Sequence, residues 1–266
     1  MKIYYCSDLH LDFYISNFSE NKSRKLYDKL FKDISGDVII IAGDISHYNV
    51  LTYNFLKLFK EHFDLVLFVG GNHEKYNTSK KQKLKYRSHN AKMNELEEMV
   101  SNDKNIEYLN GRTIIYNGIK FGGADGWYDG VYSKYIDPSK NIIDIWKTSM
   151  NDSKLIPGIS DFYDIFKDEI TKIKNVLSEE PDIMISHIAP ICSSRIFSER
   201  FKNDITSAFY CFDGEYLLNE IHKPKFWIYG HIHDALELDI GGMKLLRNPL
   251  GYPKENSNFK MKYFSI

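Results

Sequence analysis

Short continuous apolar runs alternate along this chain with apolar residues set at helical intervals. Ile3 to Cys6 is a brief apolar run that ends just before Asp8. Leu26, Leu30, Phe31 and Ile34 follow at the spacing of one helix face, predicting a helix over 22–34. Gly36 is expected to stop it, because glycine accepts the left-handed conformation past a helix end. Val38 to Ala42 is an unbroken, largely β-branched run, which fits a parallel strand buried on both faces. Helical spacing returns at Leu51, Phe55, Leu58, Phe59 and His62, an apolar strand at Leu65 to Val69, and helical spacing again at Met93, Leu96 and Val100. This βαβαβ order predicts a largely parallel sheet with right-handed crossovers.

The second half changes character. Thr113–Tyr116 and Ile119–Ala124 flank Asn117-Gly118, a pair that tolerates positive φ and predicts a hairpin. Residues 127–160 carry Trp127, Tyr128, Tyr132, Tyr135 and Trp146 with no clear period, and are read as an aromatic-rich insertion or cap. Asp161 opens a helix bearing Ile165, Ile170, Ile173 and Leu177, which ends before Pro181. Ile183–Ser186 and Phe226–Tyr229 read as strands, and Leu236–Ile240 with Met243–Leu246 as a hairpin around Gly241-Gly242. No repeat or linker interrupts the chain. The expectation is a single domain over 1–266, with two sheets facing each other and helices outside.

Composition narrows the class. An apolar share of 43% with 27% charged residues suits a soluble globular protein. The 35 basic and 36 acidic residues nearly cancel, so no global field steers the chain to nucleic acid or an anionic membrane. Cys6, Cys192 and Cys211 form no C-x-x-C pair and are read as reduced thiols. No apolar run approaches the ~20 residues that span a bilayer. No signal peptide precedes the first motif, so the expected location is cytoplasmic.

Five fragments stand at or just past the ends of strand-like runs: Asp8-Leu9-His10, Gly43-Asp44, Gly71-Asn72-His73-Glu74, His187-Ile188-Ala189-Pro190 and Gly230-His231-Ile232-His233. In open α/β sheets, ligands bind outside the carboxyl ends of the strands. The residue types are nitrogen and oxygen donors for divalent metals. A lone histidine after a strand is ordinarily structural. Here five of the nine histidines lie in these fragments, beside two aspartates and an asparagine, which disfavours that account. In Asp8-x-His10 and His231-x-His233 the outer residues would share one side of an extended segment. Asp44 offers two oxygens and could bridge two cations; Asn72 offers a neutral carbonyl oxygen. Gly43, Gly71 and Gly230 would permit close backbone approach.

The ordered set D-x-H, G-D, G-N-H-[DE], H-x-x-P and G-H-x-H resembles the calcineurin-like metallophosphoesterases over residues 8 to 233. The resemblance implies a four-layer α/β/β/α sandwich, with two central mixed sheets flanked by helices. It also implies a centre of two divalent metal ions. One would be bound by Asp8, His10, Asp44 and His233, the other by Asp44, Asn72, His187 and His231. A hydroxide between them would attack phosphorus in line, with His73 contacting the phosphate and protonating the leaving oxygen. Glu74 would be structural or would orient a neighbour. Nitrogen and oxygen ligands suit Mn, Fe, Zn, Ni or Co alike. Protein serine/threonine phosphatases of this superfamily read G-D-x-x-D-R-G where this chain reads Gly43-Asp44-Ile45-Ser46-His47-Tyr48, which counts against a phosphoprotein substrate. Asn72-His73-Glu74-Lys75-Tyr76 and Asn248-Pro249-Leu250-Gly251-Tyr252 are closest to small bacterial and phage members. The second of these segments is read as a turn without chemistry.

The implied activity is a metal-dependent phosphohydrolase acting on a small phosphorylated substrate, with a phosphodiester or nucleotide favoured. A phosphomonoesterase or a nuclease is the alternative, nucleic acid being the less favoured partner. The intact ligand set argues against a non-catalytic scaffold. Lys80, Lys81, Lys83, Lys85 and Arg87 are read as a solvated basic surface, with a polyanion-attracting lip as the competing reading. The aromatics of 127–146 are expected to pack the insertion onto the core. Asn72 and Arg195 are candidate phosphate contacts.

Overall fold

A computed structural model describes residues 1–16 and 18–266 of the chain. Strands β1 (Lys2–Cys6), β2 (Gly36–Ala42), β3 (Phe63–Val69) and β4 (Ile106–Tyr108) run parallel and adjacent. A second set follows: β5 (Arg112–Tyr116), β6 (Ile119–Gly123), β7 (Ile183–Ile185), β8 (Phe226–Ile228), β9 (Leu236–Ile240) and β10 (Met243–Arg247). The last strand, β11 (Lys262–Ser265), returns to pair antiparallel with β1. The sheet orders are β11-β1-β2-β3-β4 and β5-β6-β7-β8-β10-β9. Both sheets are mixed, because the antiparallel edges β11, β5 and β9 flank parallel centres.

The side-chain period of two explains why the central strands read as unbroken apolar runs. Along β2, Val38, Ile40 and Ala42 point into a core between the sheets, where they meet Phe121, Ile183, Ile185 and Ile228. Ile39 and Ile41 point the other way, onto Leu26, Phe31, Phe55, Phe59 and Leu96 of the helices Glu20–Phe31, Asn49–Lys60 and His89–Ser101. The outer face of the second sheet buries Met184, Trp227 and Leu245 with Ile173, Val176 and Leu177 of helix Tyr163–Ser178. The layers are therefore helix, sheet, sheet, helix, as the motif resemblance implies.

The structure corrects several local expectations. Gly36 opens β2 rather than stopping the first helix. That helix ends at Phe31, and Asp33 (φ 65) takes the left-handed turn. His62 lies past the end of its helix and is exposed, its ring stacked on Tyr27. The hairpin at Asn117-Gly118 forms with φ of 48 and 80 at the two turn residues. Within 127–160, Trp127, Tyr128, Tyr132 and Trp146 are buried in the second sheet's outer core, whereas Tyr135 is exposed. Among the described residues no helix is long and apolar enough to cross a membrane.

Candidate metal centre

The five strands β1, β2, β3, β7 and β8 each pass one motif fragment beyond their carboxyl ends. The loops there are strained rather than extended. Asp8, His10, Asp44 and His231 all have positive φ, at 52, 44, 56 and 67. Asp8/His10 and His231/His233 therefore converge through left-handed turns and not through strand alternation. Non-glycine residues hold such conformations only where their surroundings fix them. Here Asp8 N donates to Gly43 O at 3.0 Å and His10 N to Asp44 O at 3.0 Å. The buried Glu74 carboxylate accepts from four backbone amides, those of Asp44, Ile45, Ser46 and Gly71, at 3.0, 2.6, 3.0 and 2.7 Å. Glu74 is thus an orienter of the Asp44 turn. Gly71 is required by contact: a Cβ there would lie 2.1 Å from Asp44 Oδ1.

Asp44 sits at the middle of the cluster. Its Oδ2 lies 3.4 Å from His187 Nε2 and 3.9 Å from His10 Nε2. Its Oδ1 accepts from His73 N at 2.8 Å, so a single oxygen, rather than the pair, is free to face both neighbours. On one side Asp8, His10 and His233 bring their donor atoms together, with His10 Nε2 3.1 Å from His233 Nε2. On the other side Asp44, His187 and His231 converge, with His187 Nε2 3.2 Å from His231 Nδ1 and 3.1 Å from Asn72 Oδ1. A third grouping joins His73 to His10 and Asp44.

These donors fit divalent cations. Bare nitrogens this close repel unless a proton or a cation lies between them. The far ring nitrogens are fixed by acceptors: His187 Nδ1 by Ala42 O at 2.8 Å, His231 Nε2 by Phe209 O at 3.2 Å, and His233 Nδ1 by Glu255 Oε2 at 2.6 Å. Such partners fix the tautomer and aim the free lone pair inward. Asn72 is aimed in the same way, its Nδ2 donating to Asp152 Oδ1 at 2.9 Å and to Tyr76 OH at 2.8 Å.

Charge follows the same pattern. Burial works against ionising Asp44, but the imidazoles of His187, His73 and His10 hold its carboxyl well below the usual carboxylate range. Burial would lower His187, yet the Asp44 and Asp8 carboxylates raise it to about 9. His10 and His231 are pushed well down by burial and by neighbouring imidazoles. Burial lowers His73 to about 4, against the pull of Asp44.

A cleft of about 490 Å³ opens over the cluster, within the range of small-molecule sites. Its lining includes Asp44, Asn72, His73, His231 and His233 at the base, with Phe197, Arg200, Phe201 and Tyr210 among the other residues. The structure sets Arg195 apart from this cleft. Arg195 is exposed, with its guanidinium 3.5 Å from Asp239 O on the edge strand β9. Arg200, five residues on, lines the cleft instead. From 127–160 only Ser149, Met150 and Asn151 reach it. Of the basic stretch, Lys83 and Arg87 border a separate hollow with Lys154, and Lys85 pairs with Glu95.

Sequence reasoning passed over Asp152, Tyr252 and Glu255. Asp152 lies in the segment without periodicity. Tyr252 and Glu255 follow a turn whose glycine and proline masked any chemical signal, though the Asn-Pro-x-Gly-Tyr pattern marked the place.

Fold and site together define a two-sheet α/β sandwich that carries a cluster of nitrogen and oxygen donors able to hold divalent metal at its strand ends. The chain belongs to the calcineurin-like phosphoesterase family, whose model matches residues 1–235. It is a metal-dependent phosphoester hydrolase by that membership. An uncharacterised protein of Acanthamoeba polyphaga mimivirus is 28% identical over 268 residues, covering 96% of this chain and 92% of the relative. Among solved structures, the phosphopantetheinyl hydrolase of Mycobacterium tuberculosis matches with a TM-score of 0.76, covering 99% of this chain and 95% of that one. At 15% identity that likeness concerns the fold alone.

Proposed function

We propose that the chain is a binuclear phosphoesterase acting on a small phosphorylated substrate, with a phosphodiester or nucleotide favoured. The observation that carries this reading is Asp44 Oδ2, which faces His187 at 3.4 Å on one side and His10 at 3.9 Å on the other. Asp8, His10, Asp44 and His233 would hold one cation, and Asp44, Asn72, His187 and His231 the second. Bound divalent ions would supply Lewis acidity and lower the pKa of water. The protein's own part is orientation and proton handling. Glu74 fixes the Asp44 turn, and the carbonyls of Ala42 and Phe209 fix two imidazoles. His73, held neutral by burial, would take up a proton from solvent as phosphoryl oxygens arrive beside it, and then pass that proton to the leaving oxygen.

We read 1–266 as one catalytic unit, with 127–160 as an insertion that supports Asn72 through Asp152. A reducing compartment, the cytoplasm, suits the free thiols Cys6, Cys192 and Cys211. The test is hydrolysis of bis(p-nitrophenyl) phosphate and p-nitrophenyl phosphate by protein stripped of metal and refilled with Mn²⁺, with bound Mn²⁺ counted. Faster diester turnover at two ions per chain is expected. Activity that survives stripping, or one ion at full activity, would overturn the reading.

A further inference from the structure

The family match ends at residue 235, yet the chain returns to the site thirteen residues later. Residues 248–256 lie as a strap along the first motif. Pro249 bridges to Ser7, Leu250 N donates to Ser7 O at 3.0 Å, and Gly251 N donates to Asp8 O at 2.8 Å. Tyr14 OH donates to Gly251 O at 2.9 Å, and Asn256 Nδ2 donates to His233 O at 3.1 Å. Gly251 has φ 76, which turns the strap inward at this point.

That turn delivers Tyr252 into the cleft. Its ring stacks on His10 at 4.3 Å and 22°, and meets Phe13 edge-on at 4.8 Å. Its hydroxyl lies 3.2 Å from His73 Nε2. Its backbone N donates at 2.8 Å to Glu255 Oε2, the same oxygen that holds His233 Nδ1 at 2.6 Å. One carboxylate therefore fixes a candidate metal ligand and the base of this tyrosine together.

We propose that Tyr252 is a substrate-contacting residue whose phenol O–H donates a hydrogen bond to the phosphoryl group of the bound ester. The inference rests on the phosphoesterase reading above. Stacking and burial would be served equally well by phenylalanine, so the hydroxyl needs a separate reason. Its partner, His73 Nε2, itself faces the cleft. A phosphoryl oxygen that comes within hydrogen-bond distance of that nitrogen enters the space beside the phenol and meets both groups. A phenol has an ordinary pKa of ~10 and is a hydrogen-bond donor at neutral pH.

The test uses full-length Mn²⁺-loaded protein and Tyr252→Phe, which keeps the ring stack. Affinity for inorganic phosphate is measured by calorimetry, alongside kcat/KM for p-nitrophenyl and alkyl phosphate esters. Loss of one hydrogen bond to a charged group is expected to weaken phosphate binding and to lower kcat/KM, each roughly ten- to hundred-fold. Mn²⁺ content and melting temperature should stay at wild-type values. A larger loss on alkyl esters would place the contact at the leaving oxygen, and an equal loss would place it at a non-bridging oxygen; both support the assignment. Phosphate affinity and kcat/KM within two-fold of wild type would overturn it. So would loss of Mn²⁺ from the variant, which would make Tyr252 a support for His10 only. A wild-type protein that binds phosphate but cleaves no ester would sink the phosphoesterase reading alone, and the phosphate arm would still decide this inference.

Discussion

Asp152 accepts a hydrogen bond from the side-chain amide of Asn72 at 2.9 Å, across 80 residues of sequence. The same carboxylate accepts from Tyr128 OH at 2.6 Å and from Tyr76 OH, and Trp146 Nε1 donates to Tyr128 OH at 2.7 Å. The amide nitrogen is thereby held away from the cluster, which turns Asn72 Oδ1 toward His187. Burial raises the Asp152 carboxyl, and the three donors offset only part of that rise. Replacing it with Asp152→Asn would offer an amide where a full acceptor is needed. Outer-shell changes of this kind cost about 10–100-fold in metal affinity. If two ions bind as proposed, a chelator competition with Mn²⁺ should show that loss confined to one of two classes of site. Unchanged affinity would remove Asp152 from the account.

Gly71→Ala tests the closeness of two loops. The new methyl would lie 2.1 Å from Asp44 Oδ1 and 2.7 Å from Asp44 N, which no rotamer change relieves because backbone is involved. The Asp44 turn would have to move, breaking the amide contacts to Glu74. Overpacking of this kind costs about 1–3 kcal/mol. Thermal unfolding should show that loss together with reduced Mn²⁺ content. A variant with wild-type stability and metal content would mean that the loops tolerate separation.

The layers and the clustered donor residues are legible because each rests on a local pattern. Val38 to Ala42 reads as a buried strand since both faces need apolar residues, and the histidine fragments stand at strand ends where the chain must turn. The missing parts lack such a pattern. Strand β11 has the burial of an edge, half-buried at Lys262 and Phe264, and its four residues are too few to show a strand period. Asp152 is one carboxylate among many, and only folding shows that it is buried against Asn72. The Asp8 and His231 turns differ from the extended reading because the bonds that fix them, Asp8 N to Gly43 O and His231 N to Asp8 Oδ1, leave no trace in residue spacing. Arg195 and Arg200 are chemically alike; the course of the loop decides which reaches the cleft.

Metal uptake should depend on pH beyond the usual histidine range. In the metal-free protein, His187 is raised to about 9 by Asp44 and Asp8, against burial. A ring raised above its unfolded value of ~6.5 stabilises the fold below that pH and loses this contribution as pH rises through 9. A metal needs the neutral ring, so binding below pH 9 must displace this proton. Apparent Mn²⁺ affinity should therefore rise about ten-fold per pH unit from 6.5 to 8.5. Calorimetry in buffers of different ionisation enthalpy would count about one proton released at pH 7.5. A plateau above pH 6.5 would show that the carboxylates do not hold that proton.

The roles proposed for Asp44 and His73 predict different outcomes on substitution. Asp44 Oδ2 faces donors on both sides, so Asp44→Ala should empty both positions and abolish turnover. His73 approaches the same oxygen at 3.8 Å and belongs to one grouping that could hold an ion, but its Nε2 also faces Tyr252 OH in the cleft. If it acts on the leaving oxygen, His73→Ala should keep its metals and lose about 10²–10⁴ in kcat, the usual contribution of a general acid. The loss should shrink for esters of p-nitrophenol, whose anion departs without a proton. Element analysis of the two purified variants decides the matter. Metal missing from the His73 variant would make His73 a ligand with His10 and Asp44, and would leave the proton transfer to another group.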